Sequence, residues 1–165
     1  MSRTLEQLTD LQYRALDRLR DPRAQEAARE AADATDFAAL RGAHQCLVLT
    51  FKRSGEAVPT PVNFGLADDR RLYFRSEPRS AKLRRIRNVP RMRIAPCNLR
   101  GRPTGPFTEA VGRILPPADR ATAEAVVASN WSPTMMVLER GLDLLPLELA
   151  YVEVSPATPE KERPS

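Results

Sequence analysis

Between Ala57 and Leu66 the chain alternates without interruption. Val58, Thr60, Val62, Phe64 and Leu66 fall on one side, and Ala57, Pro59, Pro61, Asn63 and Gly65 on the other. A period of two is that of a β-strand, whose neighbouring side chains point to opposite faces. The bulky side is expected to enter a core. The other side is nearly bare, and its two prolines remove two backbone donors, so the strand cannot be fully paired along both edges. Two readings stay open. A low-profile face beside a free backbone edge can accept a flat ligand, or the prolines can simply protect an edge strand from aggregation.

The flanking sequence supplies partners for this strand. Cys46-Leu47-Val48-Leu49-Thr50-Phe51 is an apolar, β-prone run that begins at Gln45, and Arg53-Ser54-Gly55-Glu56 is a turn signal. Asp68-Asp69 turns the chain into a third strand, Arg70 to Ser76. Ser80 is a candidate N-cap for a helix with Leu83 and Ile86 on its apolar stripe, ended by Asn88 and Pro90. Further strands are expected over 91–97 and 107–115, helices over 117–129 and 132–145, and a last strand over 147–154. Short hairpins favour antiparallel pairing. The expected fold is mainly β with helices, a six-stranded antiparallel split β-barrel.

At 165 residues the chain is one ordinary domain. Residues 4–20 read as an amphipathic helix and 23–33 as a second, Ala-, Glu- and Arg-rich one, with Thr35-Asp36 capping a short turn through Leu40. The organisation expected is a helical N-terminal extension over 1–35, the barrel over 36–155, and a Pro-rich, charged, disordered tail over 156–165. No apolar run approaches the roughly 18 residues of a spanning helix. The opening Met1 to Glu6 lacks the apolar stretch of a secretory signal, so the expected compartment is the cytoplasm.

Charge is unevenly spread. Residues 41–104 hold 15 basic and 4 acidic side chains, net +11, although the whole chain carries only +5. A surface collecting that excess attracts phosphates, carboxylates or nucleic acid, unless it is merely a solvated face. The most concentrated stretch is Arg75 to Arg85. A helix N-terminus exposes N–H groups and partial positive charge, and Ser80, Lys82, Arg85 and Arg75 would add a hydroxyl and full charges beside it. Lys52, at the end of the first strand, is a further candidate anion contact, and Arg100 and Arg102 stand in a Gly- and Pro-rich loop that could swing over an anion.

Other chemistries fare worse. A single histidine, His44, excludes a multi-His metal site, and its place before the first strand suggests a surface residue. Cys46 sits mid-strand like a small buried hydrophobe, and Cys97 ends a strand near the basic loop, where its thiolate could be stabilised. Tyr73 is one candidate proton donor, a bound water another. Met92, Met135 and Met136 read as core residues, and Trp131 as packing between the late helices.

The run from Thr50-Phe51-Lys52-Arg53-Ser54-Gly55 through Val58-Pro59-Thr60-Pro61-Val62, Leu72-Tyr73-Phe74-Arg75, Ser80-Ala81-Lys82, Ile86-Arg87-Asn88-Val89-Pro90-Arg91 and Ala95-Pro96-Cys97 to Gly101-Arg102-Pro103-Thr104-Gly105-Pro106 resembles the pyridoxamine-phosphate-oxidase-like split β-barrel proteins. Within that group it is most similar to the branch that uses the deazaflavin coenzyme F420. The resemblance covers about residues 36–155 and is specific through 50–106. It implies a homodimer with cofactor where the subunits meet, the ring against Thr60, Pro61, Val62 and Asn63, and phosphate near Ser80 and Lys82, with Lys52 and Arg75 as further contacts. It departs from the family at Asn63, where a large aromatic is common, and at Ala81, where glycine is common.

FMN carries one phosphate, whereas the deazaflavin carries a phosphodiester and a chain of glutamates, which the net +11 suits better. The function this implies is an F420-dependent oxidoreductase passing a hydride between reduced cofactor and a conjugated small-molecule acceptor. The alternatives are an FMN-dependent oxidoreductase, a non-catalytic F420 carrier and, more remotely, a basic nucleic-acid-binding module. The sequence names no catalytic residue and no metal ligand.

Overall fold

The computed structural model describes residue 26, residues 29–142 and residues 148–157. The helix expected over 4–20 and most of the tail lie outside the described residues. Seven strands form one sheet: β1 (Ala32–Ala34), β2 (Gln45–Phe51), β3 (Ala57–Asp68), β4 (Arg71–Ser76), β5 (Arg91–Cys97), β6 (Phe107–Ile114) and β7 (Ala150–Pro156). Their order is β1-β6-β5-β2-β3-β4-β7, and β6 also pairs with β7. That last pairing closes β2 to β7 into a six-stranded antiparallel barrel, with β1 added outside as a parallel strand on β6.

Two boundaries differ from the sequence reading. Ala32 and Asp33 were expected to end a helix over 23–33, yet Ala32–Ala34 is a strand, with Ala32 paired to Phe107 and Ala34 to Thr108. An open edge of β6 offers these residues backbone partners, and that tertiary pairing overrides alanine's helical preference. The last strand also runs on through Pro156, past the expected start of the tail at 156, and the Ala157 N–H bonds the Glu109 carbonyl. The barrel unit therefore runs from 32 to at least 157.

The barrel interior is filled as the alternation predicts. Val62 and Phe64 of β3 join Cys46 and Val48 of β2, Leu72 and Phe74 of β4, Met92 and Ile94 of β5, and Val152 and Val154 of β7. Helix α1 (Ala81–Asn88) adds Leu83 and Ile86 to this core from one end. Ser80 caps it as expected, its Oγ accepting from the Leu83 N–H at 3.3 Å. Helix α2 (Arg120–Ser129), entered through a 3-10 turn at Pro117–Asp119, lies on the outside, and helix α3 (Pro133–Leu142) follows it. No described helix is long and apolar enough to cross a membrane.

Candidate functional site

Strand β3 is the hinge of the architecture. Its first half, Ala57 to Asn63, pairs with β2, and its second half, from Phe64, pairs with β4. Pro59 and Pro61 stand opposite Leu49 and Leu47. Only alternate residues of an antiparallel ladder exchange bonds, so Val58, Thr60 and Val62 can carry the pairing that the prolines cannot. The expected one-sided strand is what the fold contains. Where β3 leaves β4, just before Phe64, the wall of the barrel splits.

Helix α1 sets charged side chains against the barrel core. The Lys82 ammonium lies over the Phe74 ring, 5.5 Å from its centroid. Its charge also reaches the buried Cys46 thiol, which burial holds well above the ordinary thiol range. The ladder partners of Phe74 and Cys46 are Phe64 and Val62, the two residues that flank Asn63. One turn on, Arg85 Nε donates to the fully buried Thr50 Oγ1 at 2.7 Å, and Thr50 stands opposite Val58, toward the other end of the β2–β3 ladder from Asn63. Ser80 Oγ lies 2.9 Å from Ser76 Oγ, so the hydroxyl ties the helix start to the end of β4. Ala81 is exposed at the first helical position.

The outer face of β3 divides in two. Gly65 is buried under α2: a Cβ there would stand 2.1 Å from the Val126 carbonyl oxygen. Glycine is required because the helix backbone itself occupies the space. Pro59 is buried as well. Half of the bare face is thus covered by protein instead of held open. Asn63 and Pro61 are half-buried. Continuing the β3–β4 register sets Arg75 across from Asn63, and the Arg75 guanidinium stacks on Trp131 at 5.0 Å.

Around Asn63 lies a small cleft of about 40 Å³, walled by His44, Gln45, Leu99, Asn130, Trp131 and Met135 among others. Gln45 Nε2 donates to Asn63 Oδ1 at 3.2 Å, and Asn63 Nδ2 donates to Met135 Sδ at 3.6 Å. Asn130 Nδ2 bonds the carbonyls of Ala43 and Phe64, both at 2.9 Å, and so pins the end of α2 to the barrel. The His44 Nδ1–Asn130 carbonyl bond of 2.8 Å places the proton on Nδ1.

Several expectations need correction. Val62 is directed into the core and only 7% exposed, so its backbone alone faces the split. Thr60 is half-buried on that same inner side, opposite Val48. Lys52 is exposed and ion-paired with Glu56 at 2.7 Å, while the adjacent Arg53 bonds Asn88 at the far end of α1. His44, read as a surface residue, does lie at the surface but also walls the cleft. Tyr73 is buried against α2 and donates to Glu153 Oε2 at 3.0 Å; burial first and this acceptor second raise its pKa. It does not line the cleft. Cys97 is buried and its thiol is pushed up to about 12, which leaves a neutral thiol in place of a thiolate. Met92 is core as expected, whereas Met136 is 40% exposed. Arg100 and Arg102 are exposed, in a turn that Asn98 Oδ1 holds by accepting both their N–H groups. Gln45 and Asn130 were not anticipated. Gln45 begins a strand, and nothing in a lone polar residue there announces a pocket.

No protein-family model matches the chain, and neither does any curated protein sequence. Solved structures do. The heme storage protein HutZ of Vibrio cholerae superposes with a TM-score of 0.53 at 10% identity, over 72% of this chain and 84% of that one. The likeness is one of fold, a six-stranded antiparallel β-barrel. A putative pyridoxamine 5'-phosphate oxidase of Listeria innocua gives 0.50 at 12% identity, over 73% of this chain and 90% of that one. A putative 5-nitroimidazole antibiotic resistance protein of Bacteroides thetaiotaomicron gives 0.50 at 12%, over 84% and 81%.

The low outer face of Pro61 and Asn63, with Arg75 over Trp131 beside it, fits one side of a planar ring. Lys82 and Arg85 meet Phe74 and Thr50, on the inner side of the barrel wall. Among the described residues there is no cluster of three or more potential metal ligands.

Proposed function

We propose that the chain is a cytoplasmic redox protein that holds a flavin-class ring at the β3 split, with coenzyme F420 preferred and FMN the alternative. One observation carries the reading: continuing the β3–β4 register sets Arg75 across from Asn63, and its guanidinium lies over Trp131, so a cation stands on the same outer face as the Asn63 cleft. Lys82 stands on the inner side of the same strand pair, over Phe74. Pro61 and Asn63 offer a low contact surface for one side of a ring, while Lys82, Arg85 and the Ser80 turn neutralise its tail. Bound there, such a cofactor would supply hydride exchange with a conjugated acceptor.

A cleft of about 40 Å³ is far below the roughly 300 Å³ that encloses a small ligand. It is a notch for one edge of a ring. The reading therefore includes a homodimer, with the second copy supplying the opposite wall. Leu99, 80% exposed at the rim of the cleft, suits that contact.

The F420 preference rests on the net +11 of residues 41–104 and on the longer anionic tail. Titrating the purified chain with both cofactors tests it. Micromolar F420 binding with weaker FMN binding is expected, and the reverse order would replace F420 by FMN. Binding without turnover of any acceptor would leave a carrier. A nucleic-acid role is less favoured because Arg41 is committed to Asp69, Arg75 to Trp131 and Arg91 to Phe51.

A further inference from the structure

On the flanks of the barrel, surface arginines are neutralised by carboxylates: Arg41 by Asp69, Arg93 by Glu109 and Arg113 by Glu153. The last turns of α1 break that pattern. Arg84 and Arg87 are exposed, and Arg84 neighbours both Arg87 and Asn88 on the helix surface. Arg53, from the β2–β3 turn, donates to Asn88 Oδ1 at 3.1 Å. Arg91, the first residue of β5, lies over Phe51, the last of β2, 4.3 Å from the ring centroid. Both contacts join the same two stretches of chain, 51–53 and 88–91. Arg53, Arg84, Arg87 and Arg91, all exposed, therefore gather at one end of the barrel.

Their partners are an amide and an aromatic ring, which orient a guanidinium without cancelling its charge. Among the described residues no carboxylate pairs with any of these arginines, α1 contains no acidic residue, and Glu56 of the adjoining turn is taken by Lys52. The helix dipole favours Arg87 in the last turn, but it does not account for Arg53 or Arg91. We infer that this end of the barrel is a docking surface for an acidic segment of a partner protein, whose carboxylates the guanidinium forks take pairwise. Nucleic acid fits less well, because no aromatic side chain among the described residues is exposed to stack on a base. Val111, 42% exposed and opposite Arg91 in the β5–β6 ladder, is too little to enter a bilayer but suits an apolar residue set among the acids of a peptide. The inference does not rest on the cofactor reading, since the patch lies at the Phe51 end of the β2–β3 ladder and Asn63 at the other.

The full chain is titrated into a fluorescein-labelled oligoglutamate peptide, followed by anisotropy at low and at physiological ionic strength. Saturable binding is expected, weaker by on the order of tenfold at the higher salt. Arg84→Gln combined with Arg87→Gln should weaken it by about tenfold. Arg41→Gln combined with Arg113→Gln removes as much charge from sites already paired with carboxylates, and should leave binding within about twofold. Equal loss in the two double variants reduces the effect to net charge and overturns the surface, as does no loss in the first. Tighter binding of an oligothymidylate of equal charge, or of phosphatidylglycerol vesicles, with the same dependence on Arg84 and Arg87, overturns the acidic protein as partner.

Discussion

Helices α1 and α2 both pack on the barrel, yet they are built for different work. Helix α2 lies flat on the outer face of β3, β4 and β7, and it buries Ala123 and Val127 against Tyr73 and Tyr151. Its contact is small side chains on a glycine, and backbone meets backbone. Helix α1 packs only Leu83 and Ile86 into the core and sets Lys82 over Phe74 and Arg85 on Thr50. Burying charged groups beside an apolar core costs stability unless they gain partners. The difference teaches where stability and function are divided. The α2 seat is packing alone, whereas the α1 seat also holds cations, Arg85 bonded to Thr50 and Lys82 over Phe74.

The largest effect expected from breaking this contrast is on the α2 side. Gly65→Val puts a branched side chain where the Val126 carbonyl oxygen already sits, 2.1 Å from the nearest Cβ position. Because backbone cannot yield as a flexible side-chain tip can, the helix must lift, and overpacking of this kind costs about 2–3 kcal/mol. A urea denaturation curve measures it. A loss under about 0.5 kcal/mol, the range of an inconsequential surface change, would mean that α2 is not seated there.

Lys82→Met makes the converse test on the α1 side. The thioether stem keeps the contact with Phe74 but removes the charge. Stability should change by less than about 1 kcal/mol, while affinity for an anionic-tailed ring should fall about tenfold, with a shallower salt dependence. Isothermal titration at two ionic strengths reads both. An unchanged affinity would separate the helix mouth from the ligand.

Alkaline pH probes the two buried thiols, one on each side of the sheet. The Cys97 thiol is raised from an ordinary 9.0 to about 12, and Cys46 is shifted the same way by burial. Above pH 9 the unfolded chain releases these protons while the folded chain keeps them. The unfolded state then binds fewer protons, so stability falls as pH rises, by about 1.4 kcal/mol per pH unit for each fully shifted thiol, and is fully present below pH 9. Urea midpoints at pH 7.5 and pH 10 should differ accordingly, and Cys97→Ala should flatten the difference.

The contrast also separates what the sequence makes legible from what it does not. Six of the seven strands, helix α1 and its Ser80 cap follow from period and local chemistry, because alternation and capping are short-range signals. The short strand Ala32–Ala34 was missed because its only reason to be extended is an edge 75 residues away at Phe107. Gly65 was grouped with Pro61 and Asn63 as part of one bare face. Sequence shows that a side is small, but not whether a helix or a ligand fills it. The cleft was illegible for the same reason. Gln45 and Trp131 are 86 residues apart and meet only after the barrel closes and α2 turns back through Asn130.

The smallest effects weigh the two ends of α1 against each other. Ser80→Ala removes the Oγ that accepts from Leu83 N–H and meets Ser76, and loss of such a cap costs about 1 kcal/mol. Lys52→Ala removes one exposed ion pair across the β2–β3 turn, with both side chains at least half exposed, and should cost less than about 0.5 kcal/mol because solvent already screens it. The cofactor readout is the sharper one. Lys52 lies in the β2–β3 turn and is already held by Glu56, whereas Ser80 caps the start of α1 beside Lys82. Ser80→Ala should therefore weaken an anionic-tailed ring severalfold, and Lys52→Ala should leave it within about twofold, both near the 1 kcal/mol scale. If Lys52→Ala proves the more damaging in titration, the tail runs along the helix to its far end, and the anion site belongs to the β2–β3 turn instead of the helix start.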